Sequence, residues 1–171
     1  RFMDEQMGTA SYLIDVPDGG LTYIVGNLIE KGLHAENSSL IRYAAESQTN
    51  PIQELYVAHN TMVNDWNSGI GSFVRADKGI PLVKVINNIM AGPGIPLMPA
   101  TAGLATNNLT GQSPLFADQA NYDYHLTAGS PAIDQGTNPG IINGFDLSAT
   151  SQYTHPTGSQ PRTANGAIDI G

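Results

Sequence analysis

Ile24-Val25-Gly26-Asn27, Val57-Ala58-His59-Asn60, Val85-Ile86-Asn87-Asn88 and Ala105-Thr106-Asn107-Asn108 are four versions of one phrase. Each is a short, mainly apolar stretch, then a small or polar residue, then Asn. Apolar residues mostly follow, as in Leu28-Ile29, Met62-Val63 and Ile89-Met90. The asparagines lie 33, 28 and 20 residues apart. A repeat of this length marks a stacked architecture, in which each unit is too small to bury its own apolar face and buries it against its neighbours.

Other residues keep step with these asparagines. Leu40-Ile41-Arg42 follows Asn27 at the distance by which Phe73-Val74-Arg75 follows Asn60. Carried back one unit, the spacing brings Leu13-Ile14-Asp15 into line and puts the preceding Asn just ahead of Arg1. The chain is therefore expected to open in mid-rung, with Arg1-Phe2-Met3-Asp4 matching Thr61-Met62-Val63-Asn64. Each full rung holds three strand-like stretches, in the second rung residues 27–29, 40–43 and 55–58. Turn signals separate them, such as Pro17-Asp18-Gly19-Gly20, Asn50-Pro51 and Asn67-Ser68-Gly69. No stretch carries a helical period with caps.

These features predict an all-β parallel β-helix over residues 1–110, with three short strands per rung. Rungs about 4.8 Å apart stack equivalent residues into ladders. Asn27, Asn60, Asn88 and Asn108 are expected to form one such ladder at a corner, amide to amide. From about Gly111 the repeat fades, and loops marked by Ser113-Pro114, Ser130-Pro131, Asn138-Pro139-Gly140 and His155-Pro156 take over. An open β-helix end exposes strand edges that invite aggregation. Residues 111–171 are therefore expected to be a loop-rich cap, packed on the helix and covering the last rung.

The rungs resemble those of right-handed parallel β-helix proteins of the pectate-lyase-like superfamily. The tail carries the resemblance further. Ser113-Pro114-Leu115-Phe116-Ala117-Asp118, Asp123-Tyr124-His125-Leu126, Gly129-Ser130-Pro131-Ala132-Ile133-Asp134-Gln135-Gly136 and Gly166-Ala167-Ile168-Asp169-Ile170-Gly171 look like the closing module at the C-terminus of such proteins. The resemblance implies a secreted, mostly bacterial protein, extracellular or at the cell surface. Its relatives include polysaccharide lyases, glycoside hydrolases, uronate epimerases, tailspikes and proteins without known activity, so it implies a fold more firmly than a reaction. The Asp-Pro-His arrangement of the alginate epimerases is absent.

Composition narrows the partners. Seven Lys and Arg face fifteen Asp and Glu, for a net charge of −8. That balance argues against nucleic acid, whose binding needs phosphate neutralisation. No apolar run reaches the roughly 20 residues of a membrane-spanning helix. The chain has no Cys, hence no disulfide and no thiolate metal site.

Two outward rows are the candidate glycan contacts. Asp15, Arg42 and Arg75 fall on successive rungs, and the two arginines suit a sugar carboxylate; an ordinary surface ion pair is the competing reading. Tyr23, Tyr56 and Lys84 form the second row, with rings able to stack on sugars or simply to pack. Strand alternation puts Leu13, Leu40 and Phe73 on the outside with the arginines, unless a bend at the corner brings them in. The neighbours Asp4 and Glu5 make a poor pair for glycoside hydrolysis, leaving Asp4 with Asp15 or Glu46. His34, His59, His125 and His155 have no metal-ligand spacing, and His59 fills the corner slot held elsewhere by Gly26, Asn87 and Asn107. Asp118, Asp123, Asp134, Asp146 and Asp169 could bind Ca²⁺ from flexible loops, but they lack the density of a dedicated loop, and no cofactor is expected. The expectation is thus an extracellular β-helix that binds or processes a polysaccharide along its face, by lyase-like or hydrolase-like chemistry. The alternative is a non-catalytic surface or fibre protein with a capacity for self-association.

Overall fold

The computed structural model describes residues 1–77, 79–163 and 165–171. Short strands follow one another in threes. The first rung is β1 (Phe2–Met3), β2 (Ile14–Val16) and β3 (Thr22–Val25). The second is β4 (Leu28–Lys31), β5 (Ser39–Tyr43) and β6 (Glu54–Ala58), and the third β7 (Thr61–Asn64), β8 (Ser72–Ala76) and β9 (Leu82–Ile86). The fourth is β10 (Ile89–Ala91), β11 (Ile95–Met98) and β12 (Leu104–Thr106), and β13 (Leu109–Thr110) begins another. Every third strand pairs in parallel. Sheet A is β1-β4-β7-β10-β13, sheet B is β2-β5-β8-β11 and sheet C is β3-β6-β9-β12. The molecule is a parallel β-helix with three strands per rung.

Alternation along the strands builds its core. Ile29, Met62 and Met90 are register partners in sheet A. Ile41, Val74 and Leu97 are partners in sheet B, and Ile24, Val57 and Val85 in sheet C. All nine belong to one buried cluster. Burying each such side chain is worth roughly 1.5–3 kcal/mol, a gain available only when rungs stack. Leu40 and Phe73 are buried in the same cluster, and Leu13 packs against it. The Leu13–Leu40–Phe73 ladder is thus not on the surface, so the alternation is relaxed there.

The corner between sheets C and A turns through a left-handed residue: Gly26 (φ 68°), His59 (φ 52°), Asn87 (φ 57°) and Asn107 (φ 50°). Glycine meets this conformation without penalty, and Asn and His adopt it more readily than most other residues.

The tail adds three antiparallel hairpins: β14 (Phe116–Asp118) with β15 (Asp123–Leu126), β16 (Ile141–Ile142) with β17 (Phe145–Asp146), and β18 (Ser151–Thr154) with β19 (Gly158–Pro161). The first hairpin lays Phe116, Tyr124 and Leu126 on Val63, Ile89, Ala91 and Leu109 of sheet A. Ile142 and Leu147 pack on Tyr56, Ala58 and Ile86 of sheet C. The third hairpin reaches the first rung, where Arg1 Nη1 donates to Tyr153 Oη at 3.0 Å. The tail therefore runs back along the flanks formed by sheets A and C and reaches the first rung. The physical reason is that the outer rows of sheets A and C are apolar and need cover. The free edge strand β11 is protected differently, by Pro96, which has no N–H to offer an incoming strand.

Candidate functional site

Sheet B aligns Asp15 with Arg42, Arg42 with Arg75, and Arg75 with Met98. The three charged residues thus share one axial row, about 4.8 Å from strand to strand. Arg42 does not pair with Asp15. Its Nη2 donates to Asp77 Oδ1 at 2.9 Å, and its Nη1 to the carbonyls of Arg75 at 3.4 Å and Tyr43 at 3.5 Å. Arg42 is largely buried while Asp77 is about half exposed, so the pair contributes no more than about 1 kcal/mol. Asp15 and Arg75 are exposed, and their side chains make no hydrogen bond or ion pair among the described residues.

Sheet C aligns Tyr23 with Tyr56 and Tyr56 with Lys84, but this row does not face solvent. Phe145 from the tail stacks on Tyr23 at 4.5 Å, and Tyr23 on Tyr56 at 5.4 Å. Tyr23 Oη donates to the Ile142 carbonyl at 3.2 Å, and Lys84 Nζ to the Pro139 carbonyl at 2.9 Å. Tyr56, 2% exposed, donates to Glu54 Oε2 at 2.8 Å. The row expected to stack on sugars is an anchor for the tail instead. The reason is aromatic area: three rings in contact are better satisfied by each other than by water.

The asparagine ladder is present, all amides running one way. Asn27 Nδ2 donates to Asn60 Oδ1 (3.1 Å), Asn60 Nδ2 to Asn88 Oδ1 (2.9 Å) and Asn88 Nδ2 to Asn108 Oδ1 (2.9 Å). Each accepting oxygen also takes the backbone N–H of the previous Asn, at 2.9 Å. The left-handed slots form a second, outer ladder that the repeat had not disclosed. Asn107 Nδ2 donates to Asn87 Oδ1 at 2.7 Å, and Asn87 Nδ2 faces His59 Nε2 at 3.0 Å. The tail docks on this outer ladder. Asn87 takes the N–H of Thr137 at 3.1 Å and donates to its carbonyl at 2.5 Å, and Asn107 donates to the Gln135 carbonyl at 2.9 Å.

His59 is almost fully buried, and its Nδ1 has no hydrogen-bond partner of normal geometry. Burial first, and the Arg162 charge second, push its imidazole down from 6.5 to about 4; the Asp169 backbone and the Asp146 carboxylate pull weakly the other way. Arg162 holds the end of the tail, donating to the carbonyls of Gly171 at 2.5 Å and Asp169 at 3.1 Å. His59, Arg162 and the aromatics Tyr122, Tyr124, Tyr153 and His155 line one cavity between corner and tail. Sequence reading named all four histidines and the Asp123-Tyr124-His125 run, but nothing in linear spacing ties residue 59 to residue 162.

A buried carboxyl was also missed. Glu30 is pushed up to about 7, chiefly by burial and then by Asp65 and Asp4, while the Glu5 N–H it accepts at 2.7 Å works against the rise. Asp4 accepts from the N–H groups of Ala10 at 3.1 Å and Gly32 at 3.3 Å, a turn-closing role. Four of the tail aspartates are similarly engaged. Asp118 takes Asn121 Nδ2, Asp146 the Ser148 N–H and Asp169 the Asp134 N–H. Asp123 accepts from both the backbone and the ring of His125. Among the described residues no group of three or more His, Asp or Glu side chains could hold a metal ion, and no helix is long and apolar enough to cross a membrane. Comparison with family models, curated proteins and solved structures returned no match, so the parallel β-helix and its two rows must carry the functional argument alone.

Proposed function

We propose that this chain belongs to an extracellular β-helix protein of the pectate-lyase-like superfamily and binds an acidic polysaccharide along sheet B. One observation carries the reading. Asp15, Arg42 and Arg75 stand in register on adjacent parallel strands, with Arg42 fixed by Asp77 and the Arg75 side chain exposed and without a partner among the described residues. A cation held in line with a free one suits a linear chain bearing carboxylates, which arginine recognises through a planar donor fork. The superfamily assignment is supported by three strands per rung and by the tail motifs. The row supplies charge and hydrogen-bond donors, so the proposal is binding rather than cleavage. Affinity electrophoresis in polygalacturonate and alginate gels tests it. Retardation is expected at low salt and is expected to fade with ionic strength. Arg75→Ala should weaken it about tenfold or more, the usual worth of one charge-assisted hydrogen bond. A wild-type protein that runs unretarded in both gels at low salt refutes the reading.

A second reading, a non-catalytic structural protein, is favoured by sheet C. There Tyr23, Tyr56 and Lys84, residue types suited to sugar contact, serve only to fasten the tail. Absence of retardation would leave that reading standing.

A further inference from the structure

The tail packs its apolar residues on sheets A and C. Neither of those contacts reaches sheet B, where Asp15 and Arg75 lie exposed. Along the row of sheet B the side chains read acid, held base, free base. Asp15 aligns with Arg42, and Arg42 with Arg75. Arg42 is folded onto Asp77 Oδ1 at 2.9 Å and onto the Arg75 carbonyl at 3.4 Å, which leaves 11% of its side chain exposed. The middle of the row therefore presents no free charge. Its two free charges are of opposite sign and stand two strands apart, about 10 Å.

That order matters for what the row can meet. For a polyanion the Asp15 end is an obstacle, because like charges brought together cost affinity. For a second copy of the same chain it is an asset. A row that is negative at one end and positive at the other is its own complement when turned end for end. A two-fold axis lying along β5, with the two sheets face to face, sets Asp15 opposite the partner's Arg75 and Arg75 opposite the partner's Asp15. Both pairs form together, since the spacing within one copy is the spacing within the other.

Facing sheets pack about 10 Å apart, a gap that an arginine and an aspartate span together. The guanidinium fork can take the carboxylate through two donors. Arg42, on the axis, meets its own copy there, but each guanidinium is already matched by Asp77 in its own chain. We infer that sheet B is the contact face of a two-fold dimer of this chain, closed by reciprocal Asp15–Arg75 ion pairs. Two ion pairs on a narrow face make it a transient dimer. It does not rest on polysaccharide binding and competes with it for Arg75.

Sedimentation velocity over a wide range of protein concentration tests the assignment. The wild type is expected to show a dimer that grows with concentration. Asp15→Arg sets Arg against Arg in both pairs and should weaken association about tenfold or more. It does so although it brings the net charge of −8 closer to zero, a change that by itself favours association. Arg75→Asp should weaken association likewise, with Asp against Asp. Both positions are exposed, so both variants are expected to fold. An equimolar mixture of the two variants should dimerise again, because each supplies the sign the other lacks in both pairs. A wild type that stays monomeric at every concentration overturns the inference. So do single variants that associate as well as the wild type, or a mixture that recovers nothing. Asp15→Arg also adds a cation to the row and should increase retardation in the acidic gels, so failure of the dimer and failure of polysaccharide binding are read separately.

Discussion

Replacing His59 by Asn should remove a large part of the acid sensitivity of this fold. In the folded chain the imidazole is held down from 6.5 to about 4, by burial first and by Arg162 second. Geometry gives the same direction. Protonation would turn Nε2 into a donor facing the amide nitrogen of Asn87, which cannot accept, and would bury a second cation beside Arg162. As pH falls, the unfolded chain takes up the proton near 6.5, while the folded chain resists until about 4. The neutral ring thus contributes its full stability above 6.5 and loses it progressively as pH drops to about 4. A gap of about 2.5 units, at 1.36 kcal/mol each, is worth about 3 kcal/mol. Asparagine does not titrate and suits the left-handed corner. Urea denaturation of both proteins at pH 7, 5.5 and 4 gives the comparison. Carboxylates such as Asp123 and Asp146, which sit below their ordinary values, erode stability in acid in both proteins, so the difference between the two curves is the readout. Wild type should lose about 3 kcal/mol more than the variant across that range. Parallel losses would refute the buried, neutral histidine.

Glu30→Gln should act at the other end of the scale. The Glu30 carboxyl is raised from 4.5 to about 7, so its contribution is lost as pH rises through that interval; the variant keeps an acceptor for the Glu5 N–H and should be more stable at pH 8 by up to about 3 kcal/mol in urea denaturation. Asn88→Ala removes the acceptor for the N–H and side chain of the buried Asn60, and thermal denaturation should show a loss of about 2–4 kcal/mol. Arg42→Ala should cost no more than about 1 kcal/mol and Arg75→Ala less than about 0.5 by the same assay, in keeping with one half-exposed pair and one unpaired side chain. Gly92→Ala should cost about 2–6 kcal/mol, because φ is +94° and the Asn64 carbonyl oxygen would lie 2.1 Å from the new Cβ.

The helix was legible because its signals are periodic. One Asn per rung, with apolar residues on either side, set the ladder and the register that put Asp15, Arg42 and Arg75 on one row. The tail was less legible because its contacts are singular. Phe145 on Tyr23 and Arg162 beside His59 each join residues far apart in sequence, with no repeat to reveal them. Alternation alone left Leu40 and Phe73 undecided, since it describes a straight strand and these residues lie near a corner. The sheet C row was misjudged for a related reason. An outward side chain is exposed only if nothing folds back over it, and the fold-back is a property of the tail.

A solenoid of stacked rungs ordinarily unravels from its ends, because each rung touches only its neighbours. Here Tyr153 and Pro156 hold Arg1, Ile142 holds Tyr23, Asn143 holds Glu54, Thr137 holds Asn87 and Gln135 holds Asn107. One continuous tail is thus fastened to all four rungs. An end rung cannot fray without also giving up tail contacts that serve the middle of the stack. Amide exchange in the first and last rungs should therefore approach that of the interior, and the array should melt as one cooperative unit rather than rung by rung.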